Sequence, residues 1–157
     1  MIGRFDFPND RFKNRIKRLV RNIAEQQKNI KLLEACARKL NLEFKSSDSN
    51  YNLELYFDIY KNSQNICYVY KGWDDPGFRV GELIELDKSK SDFKERFYDI
   101  FRICSERLIT ISLQNQGKST LTICLEIGIY KSGFNGKVFK EAIKTLQDAL
   151  SKIRSLL

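Results

Sequence analysis

Between Asn9 and Leu40, apolar side chains recur at Ile16, Leu19, Ile23, Ile30, Leu33, Ala37 and Leu40. That spacing is close to seven residues for every two turns and predicts one long amphipathic helix over residues 10–40. Asn9 and Asp10, following Pro8, are its candidate caps. Gln26 and Gln27 interrupt the stripe where an apolar residue is expected. With a rotation of about 100° per residue, Lys17, Arg18, Arg21, Lys28 and Lys39 fall on the opposite face. The helix therefore has a basic outer surface. Its apolar stripe has two uses: covering a sheet, or meeting a second copy of the chain along part of its length.

Beyond Leu40 the period changes from helical to alternating. Leu42–Lys45 reads as a short strand and Ser46–Asn50 as a turn. Leu53, Leu55, Phe57 and Ile59 alternate with Glu54, Tyr56, Asp58 and Tyr60, the mark of a half-buried antiparallel strand with an acidic and aromatic outer face. Lys61–Asn65 turns the chain into a strand over Ile66–Tyr70, Gly72–Gly77 forms a loop, and Phe78–Leu86 supplies a further strand. A second helix, capped by Ser89 or Ser91, buries Phe93, Phe97, Ile100, Phe101 and Cys104. Ile109, Ile111 and Leu113 alternate within Leu108–Leu113, as do Leu121, Ile123, Leu125, Ile127 and Ile129 within Thr120–Ile129, and the two strands form a hairpin around Asn115–Lys118. A final helix starts near Asn135 and buries Phe139, Ile143, Leu146, Leu150 and Ile153. The expected fold is a single α+β domain over residues 1–157, with residues 1–9 an N-terminal extension. It comprises an antiparallel sheet of five to six strands and three helices, in the order α-β-β-β-(β)-α-β-β-α.

This order, with the closing hairpin ITISLQNQGKSTLTICLEIGIY followed by FKEAIKTLQDAL, resembles the type III secretion chaperone fold and its YbjN-like relatives. The resemblance covers about residues 10–157. It implies a non-enzymatic, often dimeric protein that binds segments of other proteins. Secretion chaperones are typically acidic, whereas this chain has a net charge of +8. No motif carries family residues across.

Composition narrows the chemistry. The chain has no histidine, which removes Ser–His and Cys–His catalysis, His-ligated metals and imidazole switching together. Cys36, Cys67, Cys104 and Cys124 form no CxxC pair and sit among apolar neighbours, as buried thiols in a reducing compartment do. No apolar run reaches the ~18 residues of a membrane span, and the first ten residues lack the apolar stretch of a secretory signal, so the expected location is cytoplasmic. The charge is uneven: +6 over residues 1–50, −2 over 51–110 and +4 over 111–157. From Arg11 to Arg21 there are six basic residues and no acid.

Those cations are the first candidate site. Arg11, Lys13, Arg15, Lys17, Arg18, Arg21 and Lys28 can neutralise the phosphates of a nucleic acid, an acidic protein surface or anionic lipid, or simply remain solvated. Phe5, Phe7 and Phe12 nearby can stack on bases or staple the helix. The second candidate is a protein-contact patch of Tyr56, Tyr60, Tyr68, Tyr70 and Trp73, because aromatic side chains give large contact area at modest entropic cost.

Three local matches are weaker. Gly117–Thr120 spells the end of a phosphate-binding loop, but Ser112 stands where the first glycine belongs and a strand follows. Glu43–Lys45 and Asp92–Lys94 have the acid-x-Lys form of a Mg²⁺ nuclease, with Glu54 and Asp58 as second carboxylates. Asp74 and Asp75 beside Pro76 fit a self-capped turn. The expected function is a non-enzymatic protein-binding, adaptor or chaperone-like module, with nucleic-acid binding through the basic helix as the alternative and a small nuclease third. No cofactor or metal is expected, and the partners are a protein, a nucleic acid or a second copy.

Overall fold

The computed structural model describes residues 7–46, 54–72 and 74–157. In chain order the elements are α1 (Phe7–Lys39), β1 (Glu43–Ser46), β2 (Leu55–Lys61), β3 (Gln64–Lys71), β4 (Gly77–Asp87), α2 (Phe93–Ser105), β5 (Thr110–Gln116), β6 (Thr120–Tyr130) and α3 (Gly136–Arg154). The six strands form one antiparallel sheet in the order β1-β2-β3-β4-β6-β5. The α+β class, the three helices and the expected element order are all present.

Strand alternation explains the layering. Leu55, Phe57 and Ile59 of β2, Cys67 and Val69 of β3, Phe78, Val80, Ile84 and Leu86 of β4, and Leu121, Ile123, Leu125 and Ile129 of β6 point one way and are buried. They meet Ile100, Ile103 and Cys104 of α2 and the stripe Phe139, Ile143, Leu146, Leu150 and Ile153 of α3. The C-terminal half of α1 adds Leu33, Cys36 and Ala37. Among the described residues no helix covers the other sheet face, where Arg79, Leu83, Glu85, Thr110, Gly128 and Tyr130 are exposed.

Several boundaries differ from expectation. Helix α1 begins at Phe7, so Asn9 and Asp10 lie in its first turn and do not cap it. Helix α2 is preceded by Asp92, not capped by Ser89 or Ser91; Ser89 is held by Asp87 Oδ1 at 2.6 Å, and the Asp92 carboxylate is taken by Arg96 at 2.7 Å. The turn between β2 and β3 shrinks to Asn62 and Ser63, both at positive φ, which suits a two-residue hairpin. Asn135 does cap α3, its side chain accepting from Val138 N at 2.9 Å.

Strand β5 begins at Thr110 because Leu108 is the left-handed residue that closes α2, with φ of 57° and Ile109 N donating to Cys104 O at 2.9 Å. A left-handed non-glycine residue costs about 1–2 kcal/mol. Leu108 is 89% exposed and recovers little of this by burial. After allowing for glycine's larger unfolded-state entropy, Leu108→Gly is expected to raise stability by about 0.5–1 kcal/mol. A urea midpoint at or below that of the parent would show that the leucine side chain offsets its own strain.

Candidate interaction surfaces

Helix α1 divides into two halves. From Gln26 onward the face that includes Asn29, Leu33, Cys36 and Ala37 is buried against the body. From Asp10 to Arg21 every residue is exposed. This half projects from the body. Glu25 marks the point of departure, where its carboxylate pairs with Lys131 in the single 3₁₀ turn Lys131–Gly133 after β6. Just inside, Asn29 donates to Gln26 Oε1 at 2.7 Å, and both are buried. The Asn29 Oδ1 atom has no hydrogen-bond partner among the described residues. Gln26 therefore interrupts the stripe inside the interface, while Gln27 is exposed.

All seven cation candidates lie on exposed positions of α1. Arg11, Arg15, Lys17, Arg18 and Arg21 share one face of the exposed half-helix with Asn14 and Asn22. Lys13 and Lys28 are outside it. On the same half-helix, Phe12, Ile16, Leu19, Val20 and Ile23 are 43–63% exposed. The periodicity of Ile16, Leu19 and Ile23 was legible in the sequence. That their stripe, extended by Phe12 and Val20, would be left uncovered was not.

The tyrosines sit on the open sheet face, but unequally. Tyr56 and Tyr60 of β2 and Tyr70 of β3 are half-buried, and Tyr68 is buried. The Tyr68 ring stacks on Tyr56 at 5.2 Å and crosses Gly81 of β4, where an added methyl group would stand 2.5 Å from Tyr68 Oη. The Tyr68 hydroxyl then reaches Cys124 Sγ at 2.8 Å, and Cys124 donates to Glu126 Oε1 at 3.2 Å. Tyr68 is thus a packing group within the sheet surface, and Gly81 is the residue that admits it. Burial raises both the Tyr68 hydroxyl and the Cys124 thiol above their ordinary range. Each stays neutral, which removes Cys124 as a thiolate nucleophile. Lys45 lies over the Tyr60 ring at 4.3 Å and Arg79 near that of Tyr70 at 5.7 Å. Trp73 lies outside the described residues.

The weaker motifs resolve into structure. Gly117–Thr120 is the β5–β6 turn, with Lys88 donating to Gly117 O at 2.9 Å. Asp75 Oδ2 accepts from Gly72 N at 2.9 Å, and its Oδ1 meets Arg79 at 3.3 Å, the self-capped turn expected. Lys71 closes the same loop from the helix side, donating to Gly72 O and Asp75 O. Lys45 and Asp58 are direct neighbours across β1 and β2, and Glu43 faces Tyr60. Among the described residues, no three acidic or cysteine side chains converge as metal ligands do. No helix among them is long and apolar enough to cross a membrane.

No protein-family model matches the sequence, and no curated protein matches it. Solved structures share the fold, among them the following two. An uncharacterized protein from Methanothermobacter thermautotrophicus superposes with a TM-score of 0.62 at 9% identity, over 80% of this chain and 94% of that one. YbjN from E. coli, described as a proposed transcription regulator, superposes with a TM-score of 0.50 at 14% identity, over 78% and 89%. The YbjN-like fold expected from the element order is therefore present. At these identities the likeness is one of fold alone.

Proposed function

We propose that this chain is a non-enzymatic binding module that makes a protein contact through the projecting half of α1. The observation that carries this reading is the exposed stripe Phe12, Ile16, Leu19, Val20 and Ile23. A polyanion needs cations on a helix but not a continuous apolar seam beside them. A protein contact needs the seam, because burying apolar surface is the main favourable term in association. The open tyrosine face is the secondary contact candidate.

The second reading, nucleic-acid binding, is supported by the six cations without an intervening acid from Arg11 to Arg21. The two readings separate by variant. Ile16→Glu with Leu19→Glu adds acid to the stripe; Arg15→Gln, Arg18→Gln and Arg21→Gln remove three charges from the basic face. A specific protein captured from the producing cells should be lost with the first set and largely retained with the second. Anisotropy of labelled duplex DNA and RNA at two salt concentrations tests the alternative. Binding that falls steeply with salt, is lost with the arginine set and survives the stripe set would move nucleic acid to first place.

A further inference from the structure

We propose that the projecting half of α1 pairs antiparallel with the same segment of a second copy of this chain. This names the partner class for the stripe and rests on its reading as a protein contact.

The spacing supplies the first argument. Phe12, Ile16, Leu19, Ile23, Gln26, Ile30, Leu33, Ala37 and Leu40 are separated by alternating steps of four and three residues. That is one seam with a 3.5-residue period along the whole helix. Its C-terminal half is filled by the chain's own body, with Leu33 and Ala37 buried. Its N-terminal half has the same pattern and no cover among the described residues.

The second argument is that this segment does not support itself. Beyond the packed half each further residue adds only a propagation step, whose free energy is close to zero in water. Here Arg11–Arg15, Lys13–Lys17 and Lys17–Arg21 are like-charged pairs four residues apart, with no acid among them to compensate. Packing along the seam is the available source of stability.

Self-complementarity identifies the second copy. A two-fold axis between Lys17 and Arg18 sets Phe12 against Ile23 of the second copy, and Ile16 against its Leu19. The flanking positions then bring Lys13 beside Val20 and Arg15 beside Asn22 of the second copy, so no cation directly faces a cation across the seam. Arg11, Lys17, Arg18 and Arg21 lie outside it. The antiparallel sense follows from the fold: the seam enters the chain's own body at Gln26, so opposed helices carry the two bodies at opposite ends, whereas parallel ones would crowd them together. An isologous contact of this kind closes as a dimer.

The seam is short, about 20 Å of helix. It buries at most on the order of 1,000 Å², the low end for a specific interface, so a weak, reversible dimer is expected. Because the outer faces repel, it should tighten several-fold as salt rises, the opposite of a polyanion contact.

Sedimentation equilibrium of the full chain up to about 200 µM, at about 0.1 and 0.5 M NaCl, tests this. A monomer–dimer equilibrium strengthened by salt is expected. Ile16→Glu with Leu19→Glu should abolish the dimer and leave the urea midpoint of the body unchanged. Oxidative mixing of a Phe12→Cys chain with an Ile23→Cys chain should cross-link better than either alone. A chain that stays monomeric in both salts, a dimer that survives the double substitution, or preferential Phe12→Cys self-cross-linking would overturn the proposal. If the chain is monomeric yet captures a protein that the stripe variant loses, the second copy falls and the protein-contact reading stands. If capture is also indifferent to the stripe, both fall.

Discussion

Urea midpoints, measured with a reductant present, are expected to fall steadily once the pH passes about 9. The cause is the set of buried thiols. Burial, followed by the carboxylates of Glu82 and Asp58, pushes Cys67 up to about 12; burial, partly offset by Arg107, pushes Cys104 up to about 11. Both side chains are at most 1% exposed. In the unfolded chain these thiols ionise near 9.0. Above that pH the folded state holds more protons than the unfolded state, so stability decreases as pH rises. The contribution is complete below 9 and is lost toward the folded values. At pH 11 the two thiols together have withdrawn a few kcal/mol, on the order of 5 kcal/mol, against a typical total of about 5–15 kcal/mol. Burial acts in the same direction on Cys36, Cys124, Tyr56 and Tyr68. Lys71 opposes them: burial lowers it from 10.5, so its share of stability rises with pH between its folded value and 10.5. Cys67→Ala should start less stable but fall less steeply between pH 9 and 11. A flat midpoint across that interval would contradict neutral buried thiols.

The elements were legible where one face of a local period is buried. The hairpin of β5 and β6 and the stripe of α3 needed only alternation and a 3.6-residue repeat. The failures have physical causes. Leu108 is apolar and precedes Ile109 and Ile111, so it read as the start of a strand. Only the backbone shows that it closes α2 at positive φ. Asp92 displaced Ser89 and Ser91 as the residue preceding α2, because Ser89 is already bonded to Asp87.

The faces that carry the candidate residues were legible, and what covers them was not. A periodic stripe reports which face of a helix is apolar, not what covers it. Residues 16, 19 and 23 therefore looked the same as 30, 33 and 37, although only the latter group meets the body. The tyrosines were placed correctly on an outer face by alternation. The burial of Tyr68 depends on Gly81 thirteen residues away and Cys124 on β6. Gly81 inside a strand pattern was the available sign of a close approach.

Phe78→Ala is expected to cost about 3–5 kcal/mol, more than any other single truncation at the end of the sheet from which α1 departs. Phe78 of β4 is fully buried, its ring centroid 4.4 Å from that of Phe134, which lies 5.4 Å from Phe139 of α3. These rings join the sheet, the β6–α3 connection and the helix layer in one packed cluster. Replacing the central ring of β4 removes its transfer energy and leaves a cavity that two strands and a helix cannot readily close. Phe78→Leu, which keeps most of the volume, should cost less than half as much. Phe101→Ala, at a residue 53% exposed on α2, should stay within about 0.5 kcal/mol. The cluster also bears on the projecting helix. Phe134 N donates to Lys131 O at 3.2 Å, Lys131 N donates to Pro76 O at 3.0 Å, and the Lys131 ammonium pairs with Glu25. Loosening the rings should therefore loosen the anchor at which α1 leaves the body. Amide exchange at residues 22–29 should accelerate in Phe78→Ala and not in Phe101→Ala. Equal exchange in the two variants would show that α1 is held by Leu33, Cys36 and Ala37 alone.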